Sequence, residues 1–250
     1  MTATYRFRLF PIFTAMNLTS SKKQIAVLID PDKSDPRKLK KIVDAAEKAG
    51  VDFFLVGGSL MLKNNLEETI ASIRKYTKKK IYLFPGNPAQ ISDKAHGILL
   101  LSLISGRNAD LLIGHHVQAA PVLKRSKLHI VPTGYILVDG GTATTVSYIS
   151  NTTPIPANKP DIAACTAMAG EMLGLQTIYL EAGSGAQAPV PAEMIKMVKQ
   201  HIKVPLIVGG GMRTAEQVKE AMKAGANIIV IGTAIEKDIR FLSELANIQR

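Results

Sequence analysis

The sequence predicts an α/β protein of the TIM, or (β/α)8, barrel class, and three observations support that prediction. Eight short apolar runs recur along 250 residues, so that one repeat takes about 31 residues, a spacing typical of βα units. The runs are apolar almost throughout rather than alternating, as expected of parallel strands buried on both faces. Amphipathic helical segments follow several of the runs. We therefore expect a single barrel domain over residues 1–250, rather than two small domains.

The eight predicted strands span residues 25–30, 53–56, 81–84, 97–103, 134–138, 177–180, 206–208 and 228–231. The first predicted helix, residues 36–50, carries an apolar stripe opposite three lysines. That stripe consists of Leu39, Ile42, Val43 and Ala46. Further helices are predicted over residues 66–75, 162–173, 191–201 and 214–225. The residues before the first strand, 1–22, are predicted to form an N-terminal extension or a first helix.

Two connections depart from a plain alternation of strands and helices. Residues 85–96, between the third and fourth strands, are too few for a full helix. Residues 139–160 are polar and rich in Thr, Ser, Asn and Pro. Their composition fits a surface loop, but in a barrel they would lie at the carboxyl ends of the strands, where active sites are built.

Composition and charge exclude several classes of protein. A single cysteine excludes a disulfide framework and a multi-cysteine zinc site. The apolar runs are far shorter than the roughly 20 residues of a transmembrane helix, and residues 1–20 lack the apolar block of a signal peptide. We therefore expect a cytoplasmic protein. The net charge of +11 would suit nucleic acid, an anionic membrane surface or a phosphorylated substrate, but no nucleic-acid-binding motif is present.

The predicted strand ends carry glycines, hydroxyls and carboxylates. These segments are Asp30-Pro31-Asp32-Lys33, Gly57-Gly58-Ser59, Pro85-Gly86-Asn87, Glu181-Ala182-Gly183-Ser184-Gly185, Gly209-Gly210-Gly211 and Gly232-Thr233. Loops after the seventh and eighth strands are the usual phosphate site of such barrels, because glycines let a phosphate approach backbone N–H groups. The alternative is that these glycines only form tight turns.

Carboxylates at two strand ends suggest metal binding and proton transfer. Asp30 and Asp32 offer the hard oxygen ligands that Mg²⁺ prefers, and Ser59 could add a hydroxyl, although Asp-Pro-Asp is also typical of an Asx turn. Glu181 could contact substrate hydroxyls and act as a base, or cap a helix.

His115 and His116 are adjacent, so we interpret them as surface or interface residues rather than as ligands of a shared metal. Cys165 is predicted to be a packed thiol.

Taken together, six segments resemble the geranylgeranylglyceryl phosphate synthase family, over about residues 25–237. They are Leu28-Ile29-Asp30-Pro31-Asp32-Lys33, Val56-Gly57-Gly58-Ser59, Leu83-Phe84-Pro85-Gly86-Asn87, Tyr179-Leu180-Glu181-Ala182-Gly183-Ser184-Gly185, Val208-Gly209-Gly210-Gly211 and Ile231-Gly232-Thr233. The resemblance implies a modified TIM barrel with an irregular segment in place of the third helix. It also implies transfer of a prenyl group, expected to be geranylgeranyl, from its diphosphate to the 3-hydroxyl of sn-glycerol 1-phosphate, with Mg²⁺ as cofactor.

The resemblance also implies roles for individual residues. Asp30 and Ser59 would lie at the metal and the diphosphate, and Glu181 would be the catalytic residue. The implied glycerol phosphate residues are Tyr179, Leu180, Glu181, Ala182, Gly183, Ser184, Gly185, Gly210, Gly211, Gly232 and Thr233. Some family members carry a lysine two residues before the metal-binding aspartate, where this chain has Leu28, so Lys33 or Lys63 is expected to replace it.

The sequence also suggests partners for this protein, and it leaves two alternative functions open. The branch with the Ala-Gly-Ser-Gly loop implies a homo-oligomer, either a hexamer or a dimer, and the positive charge would also suit peripheral contact with an anionic membrane. Another phosphate-binding barrel enzyme, such as a sugar-phosphate isomerase, remains the alternative, although a second carboxylate opposite Asp30 is not obvious. A non-catalytic phospholipid or nucleic-acid binder would not need Asp30 and Glu181 at separate strand ends.

Overall fold

A computed structural model describes residues 22–63, 65–246 and 248, and it has a closed barrel of eight parallel strands. The strands are β1 (Gln24–Ile29), β2 (Phe53–Val56), β3 (Lys80–Leu83), β4 (Gly97–Leu103), β5 (His129–Leu137), β6 (Thr177–Glu181), β7 (Leu206–Gly209) and β8 (Ile228–Ile231). Each strand pairs with the next along the chain, and β8 pairs with β1 to close the barrel. The predicted fold class is confirmed. The prediction for residues 1–22 lies almost entirely outside the described residues.

Helices cover the outside of the barrel. They are α1 (Pro36–Lys48), α2 (Leu66–Arg74), α3 (His115–Arg125), α4 (Thr145–Ser150), α5 (Pro160–Met172), α6 (Ala192–His201), α7 (Ala215–Ala224), α8 (Thr233–Lys237) and α9 (Phe241–Leu245). Side chains cap the first turns of α1, α4 and α7. The Asp35 carboxylate accepts hydrogen bonds from two backbone N–H groups of α1, and Thr214 forms a capping box with Gln217 at α7. Among the described residues, no helix is both long and apolar enough to cross a membrane.

The connection between β3 and β4 contains no helix, as its length predicts. Its fold depends on a buried amide instead. Gln90, only 1% exposed, accepts hydrogen bonds at Oε1 from the N–H groups of Gly86 (3.1 Å) and Gly58 (3.4 Å) and donates to the Gly58 carbonyl (3.0 Å). This side chain therefore fixes the loops that follow β2 and β3 relative to each other.

Other parts of the chain differ from the prediction. β5 begins at His129 rather than at residue 134, because residues 129–133 pair with β4 although His129 and Pro132 interrupt the apolar run. The residues after β4 form a π-helical turn (Asp110–Gly114) and α3, which Pro121 concealed. The polar connection after β5 contains α4, held by a capping box between Thr144 and Ser147.

Two apolar layers form the core. The layer inside the barrel is rich in aromatic rings, with the rings of Phe84, Tyr135 and Tyr179 in mutual contact at centroid distances of 5.4–6.0 Å. The larger layer lies between the strands and the helices. There α5 turns its small residues toward the barrel and leaves Cys165 exposed. The prediction of a packed thiol is therefore wrong, since Ala163, Ala164, Ala167 and Gly170 take the buried positions.

Candidate active site

A wide cleft opens at the carboxyl ends of the strands and contains nearly all the predicted site residues. Those that line it are Asp30, Ser59, Tyr179, Glu181, Gly183, Ser184, Gly185, Gly210, Gly211, Gly232 and Thr233. Leu180 and Ala182 do not, because their side chains pack in the layer between the strands and the helices. The cleft therefore collects residues from β1, β2, β6, β7 and β8, or from the loops that follow them, as the barrel prediction requires.

Glu181 is a buried carboxyl at the end of β6. It is 6% exposed, and its Oε1 accepts a hydrogen bond of 2.7 Å from the Gly183 N–H group. Burial raises the pKa of Glu181 to about 7, although the Gly183 N–H group and the nearby Tyr179 hydroxyl partly oppose the rise. A carboxyl with this pKa exists in both protonation states near neutral pH, which suits a general base.

Two tyrosines surround this carboxyl on the barrel side. Tyr179 is fully buried, and its hydroxyl forms no hydrogen bond of good geometry with any described residue. Burial and the negative charge of Glu181 raise the pKa of both Tyr179 and Tyr135 well above the ordinary tyrosine value. Both phenols are therefore neutral at neutral pH and can act as hydrogen-bond donors toward the cleft.

The raised pKa of Glu181 predicts a pH dependence of stability. Because its folded-state pKa of about 7 exceeds its ordinary value of 4.5, the stability contributed at low pH is lost as pH rises through that interval. We expect Glu181→Gln to stabilise the protein more at pH 8 than at pH 4.5, by about 3 kcal/mol in the free energy of unfolding. Urea unfolding of both proteins at the two pH values measures this, and an equal difference at both would contradict the buried carboxyl.

Glycines in the loop after β7 allow that loop to approach Glu181. Gly210 has φ +83°, and a Cβ atom at this position would overlap both the Glu181 carboxylate and the Gly183 nitrogen. Gly211 has φ +72°, and a Cβ atom there would overlap the Ala188 carbonyl. The loops after β6 and β7 are therefore in direct backbone contact, which any larger residue would prevent.

The loop after β8 completes a concave surface with those two loops. The Thr233 hydroxyl lies 2.9 Å from the Ser184 hydroxyl, at the start of α8. Gly232 precedes it and lies against Leu28, an apolar residue that also lines the cleft. Small residues and hydroxyls thus surround a space of the kind that accepts a phosphate group.

At the opposite side of the cleft, Asp30 is already in polar contacts. Its Oδ1 accepts a hydrogen bond from the Asp32 N–H group (3.1 Å), and its Oδ2 lies 3.0 Å from the Lys33 ammonium. Lys33 is also 3.6 Å from Glu236. Burial alone would lower the pKa of Lys33, but its hydrogen bond to Asp30 and the charges of both carboxylates raise that pKa. Asp30 therefore forms the Asx turn that the sequence offered as the alternative to metal binding, and its carboxylate also lines the cleft.

Asp32, which the sequence suggested as a second metal ligand, uses its carboxylate to hold a neighbouring loop. Its carboxylate accepts hydrogen bonds from the N–H groups of Leu62 (2.6 Å) and Lys63 (3.0 Å). It therefore holds the loop after β2, which contains Ser59. Among the described residues, no group of three or more His, Cys, Asp or Glu side chains is placed to hold a metal ion.

An apolar groove leaves the cleft beside the connection between β3 and β4, which contains no helix. The two spaces share a boundary formed by Gly58, Ser59, Phe84, Tyr135 and Val146. Beyond that boundary the walls come from the connection between β3 and β4, from β4 itself, from α3 and the π-helical turn before it, and from α4. These wall residues are Pro85, Gly86, Asn87, Pro88, Ile91, Ile98, Leu100, Leu101, Leu103, Leu111, His115, His116, Ala119, Ile149 and Ser150.

Both adjacent histidines are half-buried on the wall of this groove, which the sequence did not predict. The Nε2 atom of His116 lies 3.0 Å from the Ser102 hydroxyl on β4. Burial, and then the proximity of His115, lower the pKa of His116, which keeps the ring neutral. The signal in the sequence was the spacing of Leu111, His115 and Ala119 at every fourth residue, which places them on one helical face.

The positive charge of the protein is not concentrated in the cleft. The carboxyl groups among its lining residues are Asp30, Asp32, Glu181, Glu236, Asp238 and Glu244, against the cations Lys33, Arg213 and Lys237. An anion bound here would therefore depend on backbone N–H groups and on these few cations. The net charge of +11 comes from lysines and arginines elsewhere on the chain.

A closed barrel with a glycine-lined concave surface, a buried carboxyl and hard oxygen donors at one rim is typical of (β/α)8 enzymes that act on phosphorylated substrates. The comparisons with known proteins place the chain within that class. The model of the PcrB family matches residues 17–249, and the chain belongs to this family. The resemblance to geranylgeranylglyceryl phosphate synthases is thereby confirmed, and the protein is an enzyme of that kind.

Individual relatives agree with this result. The geranylgeranylglyceryl phosphate synthase of Spirosoma linguale is 56% identical, covering 92% of this chain and 93% of the relative. The synthase of Chitinophaga pinensis is 50% identical, covering 90% and 89%. Among solved structures, the (S)-3-O-geranylgeranylglyceryl phosphate synthase of Thermoplasma acidophilum in complex with its substrate sn-glycerol-1-phosphate is 35% identical. Its TM-score is 0.86, covering 92% of this chain and 93% of that chain.

Proposed function

We propose that this protein transfers a geranylgeranyl group from its diphosphate to the 3-hydroxyl of sn-glycerol 1-phosphate, forming an ether and releasing diphosphate. One observation carries the proposal. The buried Glu181 carboxyl lies in a cleft that has a glycine-lined concave surface and opens directly into an apolar groove. An acceptor with an anionic end and a donor with an apolar tail can therefore meet beside a base. The names of the relatives support both substrates.

The acceptor would bind to the loops after β6, β7 and β8. Backbone N–H groups near Gly210, Gly211, Gly232 and Thr233 would hold its phosphate. Residues 179–185 would surround the glycerol, with the side chains of Tyr179, Glu181 and Ser184 facing the cleft and Leu180 and Ala182 contributing backbone only.

The residues near Asp30 fit a Mg²⁺ ion. Mg²⁺ commonly takes one or two protein carboxylates and completes its shell with water and substrate phosphate oxygens. Asp30 offers a cleft-facing carboxylate, and the loop that carries Ser59 passes close to it, since a Cβ atom at Gly58 would lie 3.6 Å from Asp30 Oδ1. A bound Mg²⁺ would neutralise charge on the diphosphate leaving group.

The reaction would exchange one bond to oxygen for another. The bond between C1 of the prenyl chain and the diphosphate oxygen breaks, and its electron pair leaves with diphosphate. The acceptor's 3-hydroxyl oxygen bonds to C1 and loses its proton to the Glu181 carboxylate. The apolar groove keeps water from the allylic carbon, so that the hydroxyl of glycerol phosphate rather than water attacks it.

A transfer assay tests the proposal. The protein is incubated with radiolabelled sn-glycerol 1-phosphate, Mg²⁺ and prenyl diphosphates of several lengths, and the organic phase is counted after phosphatase treatment. We expect extractable label with geranylgeranyl diphosphate and less with sn-glycerol 3-phosphate as acceptor. Failure with every chain length and both enantiomers would refute the proposal. Transfer confined to another chain length would refute only the identity of the donor.

Lys33 is proposed as the cation that replaces the lysine missing at position 28. Its ammonium lies beside Asp30 in the cleft, whereas Lys63 is not among the lining residues. We expect Lys33→Met to weaken binding of inorganic diphosphate with Mg²⁺ by about 10-fold, because a charged hydrogen bond is lost. Isothermal titration measures this, with Lys63→Met as the control that stays near wild type. Equal effects of the two substitutions would contradict the assignment.

A homo-oligomer, either a hexamer or a dimer, is proposed as the working form, and peripheral membrane contact is proposed for release of the lipid product. Large apolar side chains on the outer helices support association, such as Tyr148 on α4 (84% exposed) and Met172 on α5 (83% exposed). Light scattering measures the mass of the assembly, and sedimentation with anionic vesicles measures membrane contact. A monomer, or absence of vesicle binding, would count against the respective proposal.

A further inference from the structure

Arg213 joins the two loops between which glycerol phosphate would lie. It follows the glycines after β7, and its guanidinium crosses to the loop after β6. There Nη2 donates a hydrogen bond of 2.6 Å to the Ala186 carbonyl, and Nη1 donates one of 3.3 Å to the Gln187 carbonyl. Arg213 also lines the cleft, so one residue both joins the two loops and borders the space between them.

The backbone on both sides of this bridge is fixed by other contacts. The Arg213 N–H group donates to Gln217 Oε1 (2.7 Å), which belongs to the capping box of α7. On the other side, the N–H groups of Gln187 and Ala188 donate to the Gly140 carbonyl (2.8 and 3.1 Å). The guanidinium of this exposed residue therefore connects two segments of backbone that are each held by other hydrogen bonds.

Arg213 also brings a positive charge to the cleft. Among the described residues that line the cleft, the other cations are Lys33 and Lys237. Lys33 pairs with the carboxylates of Asp30 and Glu236, and Lys237 lies at the end of α8. Arg213 is bonded to neutral carbonyl groups, so its positive charge is not cancelled by a carboxylate in those contacts. It lies on the same loop as Gly210 and Gly211, where the phosphate would bind, and next to the loop that begins at Glu181.

We propose that Arg213 is a positioning residue for the acceptor: it sets the spacing between the phosphate-binding loop at residues 209–213 and the hydroxyl-binding loop at residues 181–188. This inference rests on the proposed function, because it takes glycerol phosphate as the molecule that spans the two loops. The planar fork of arginine makes both hydrogen bonds at once, which the single ammonium of lysine does not reproduce. The spacing therefore depends on the fork as well as on the charge.

The kinetic consequence is specific to one substrate. With Arg213→Met, we expect the KM for sn-glycerol 1-phosphate to rise by about 10-fold or more, since hydrogen bonds from a charged group are lost. The KM for the prenyl diphosphate should change less than about 2-fold, because Asp30 and the groove are untouched, and kcat less than about 3-fold. Binding of inorganic phosphate, measured by calorimetry without donor, should weaken in parallel. A purely structural loss would lower thermal stability and affect both substrates alike.

Two further variants complete the experiment. Arg213→Lys keeps the charge but not the fork, and it should recover only a small part of the loss in acceptor KM. Arg74→Met is the control: Arg74 lies on α2, outside the cleft, and donates a comparable hydrogen bond of 2.7 Å to the Lys94 carbonyl. Its loss should leave both KM values unchanged.

If Arg213→Lys matches wild type, spacing by the fork is refuted. If Arg213→Met matches wild type while the wild-type protein transfers prenyl groups, the inference fails and the proposed function stands. If the wild-type protein transfers nothing, the proposed function fails instead.

Discussion

Replacement of Glu181 by glutamine should lower kcat/KM for prenyl transfer by about 100- to 10,000-fold, the range expected when a general base is lost. Glutamine has nearly the same shape, and its Oε1 can still accept the hydrogen bond from the Gly183 N–H group, so the loop after β6 should keep its fold. The loss would therefore report the missing proton acceptor. Steady-state kinetics and a thermal unfolding curve of the same preparation separate activity from stability.

A matched substitution controls for the chemical change in Glu181→Gln. Glu171 also accepts backbone hydrogen bonds at a single carboxylate oxygen, from the N–H groups of Lys203 (2.7 Å) and Val204 (2.9 Å), but it lies outside the cleft. Glu171→Gln should retain normal turnover. A folded Glu181→Gln variant with near-normal turnover would show that another group accepts the proton.

The second large effect is expected at Asp30. Asparagine at this position can still accept the hydrogen bond from the Asp32 N–H group, so the turn after β1 should persist. The negative charge facing the cleft is lost, and we expect transfer to fall by about 100-fold and the Mg²⁺ concentration for half activation to rise by about 10-fold or more. Titration of Mg²⁺ together with inorganic diphosphate measures the metal site without the reaction.

Asp52 provides the control for Asp30→Asn. Its carboxylate accepts a hydrogen bond from the Ile25 N–H group (2.9 Å) at the start of β1, at the opposite end of the strand from Asp30. Asp52→Asn should leave the Mg²⁺ dependence unchanged. An unchanged Mg²⁺ dependence in Asp30→Asn would place the metal on other residues.

The fold was predictable because most of its signals are local. Buried parallel strands have apolar runs of the length that the sequence contains, and the carboxyl ends of such strands must meet at one rim. The positions of Asp30 and Glu181 in one cleft follow from that rule. α3 was not predictable in the same way, since Pro121 and two adjacent histidines obscure its apolar face.

The contacts that tune the site depend on residues far apart in sequence. The pKa of Glu181 depends on the depth of its burial, to which the loop at Gly210 contributes. Neither the buried Gln90 nor the reach of Arg213 leaves any periodicity or motif in the sequence. Such contacts become visible only when the loops are placed beside each other.

The proposed reaction requires that the acceptor's 3-hydroxyl and C1 of the prenyl chain meet beside Glu181 while the isoprenoid tail occupies the groove. A crystal structure with sn-glycerol 1-phosphate, Mg²⁺ and an unreactive thio analogue of geranylgeranyl diphosphate tests it most directly. We expect the acceptor's 3-hydroxyl within hydrogen-bond distance of Glu181, its phosphate at Gly210 and Thr233, and the tail beside Phe84 and Leu111. A tail outside the groove, or head groups at separate faces of the barrel, would contradict it.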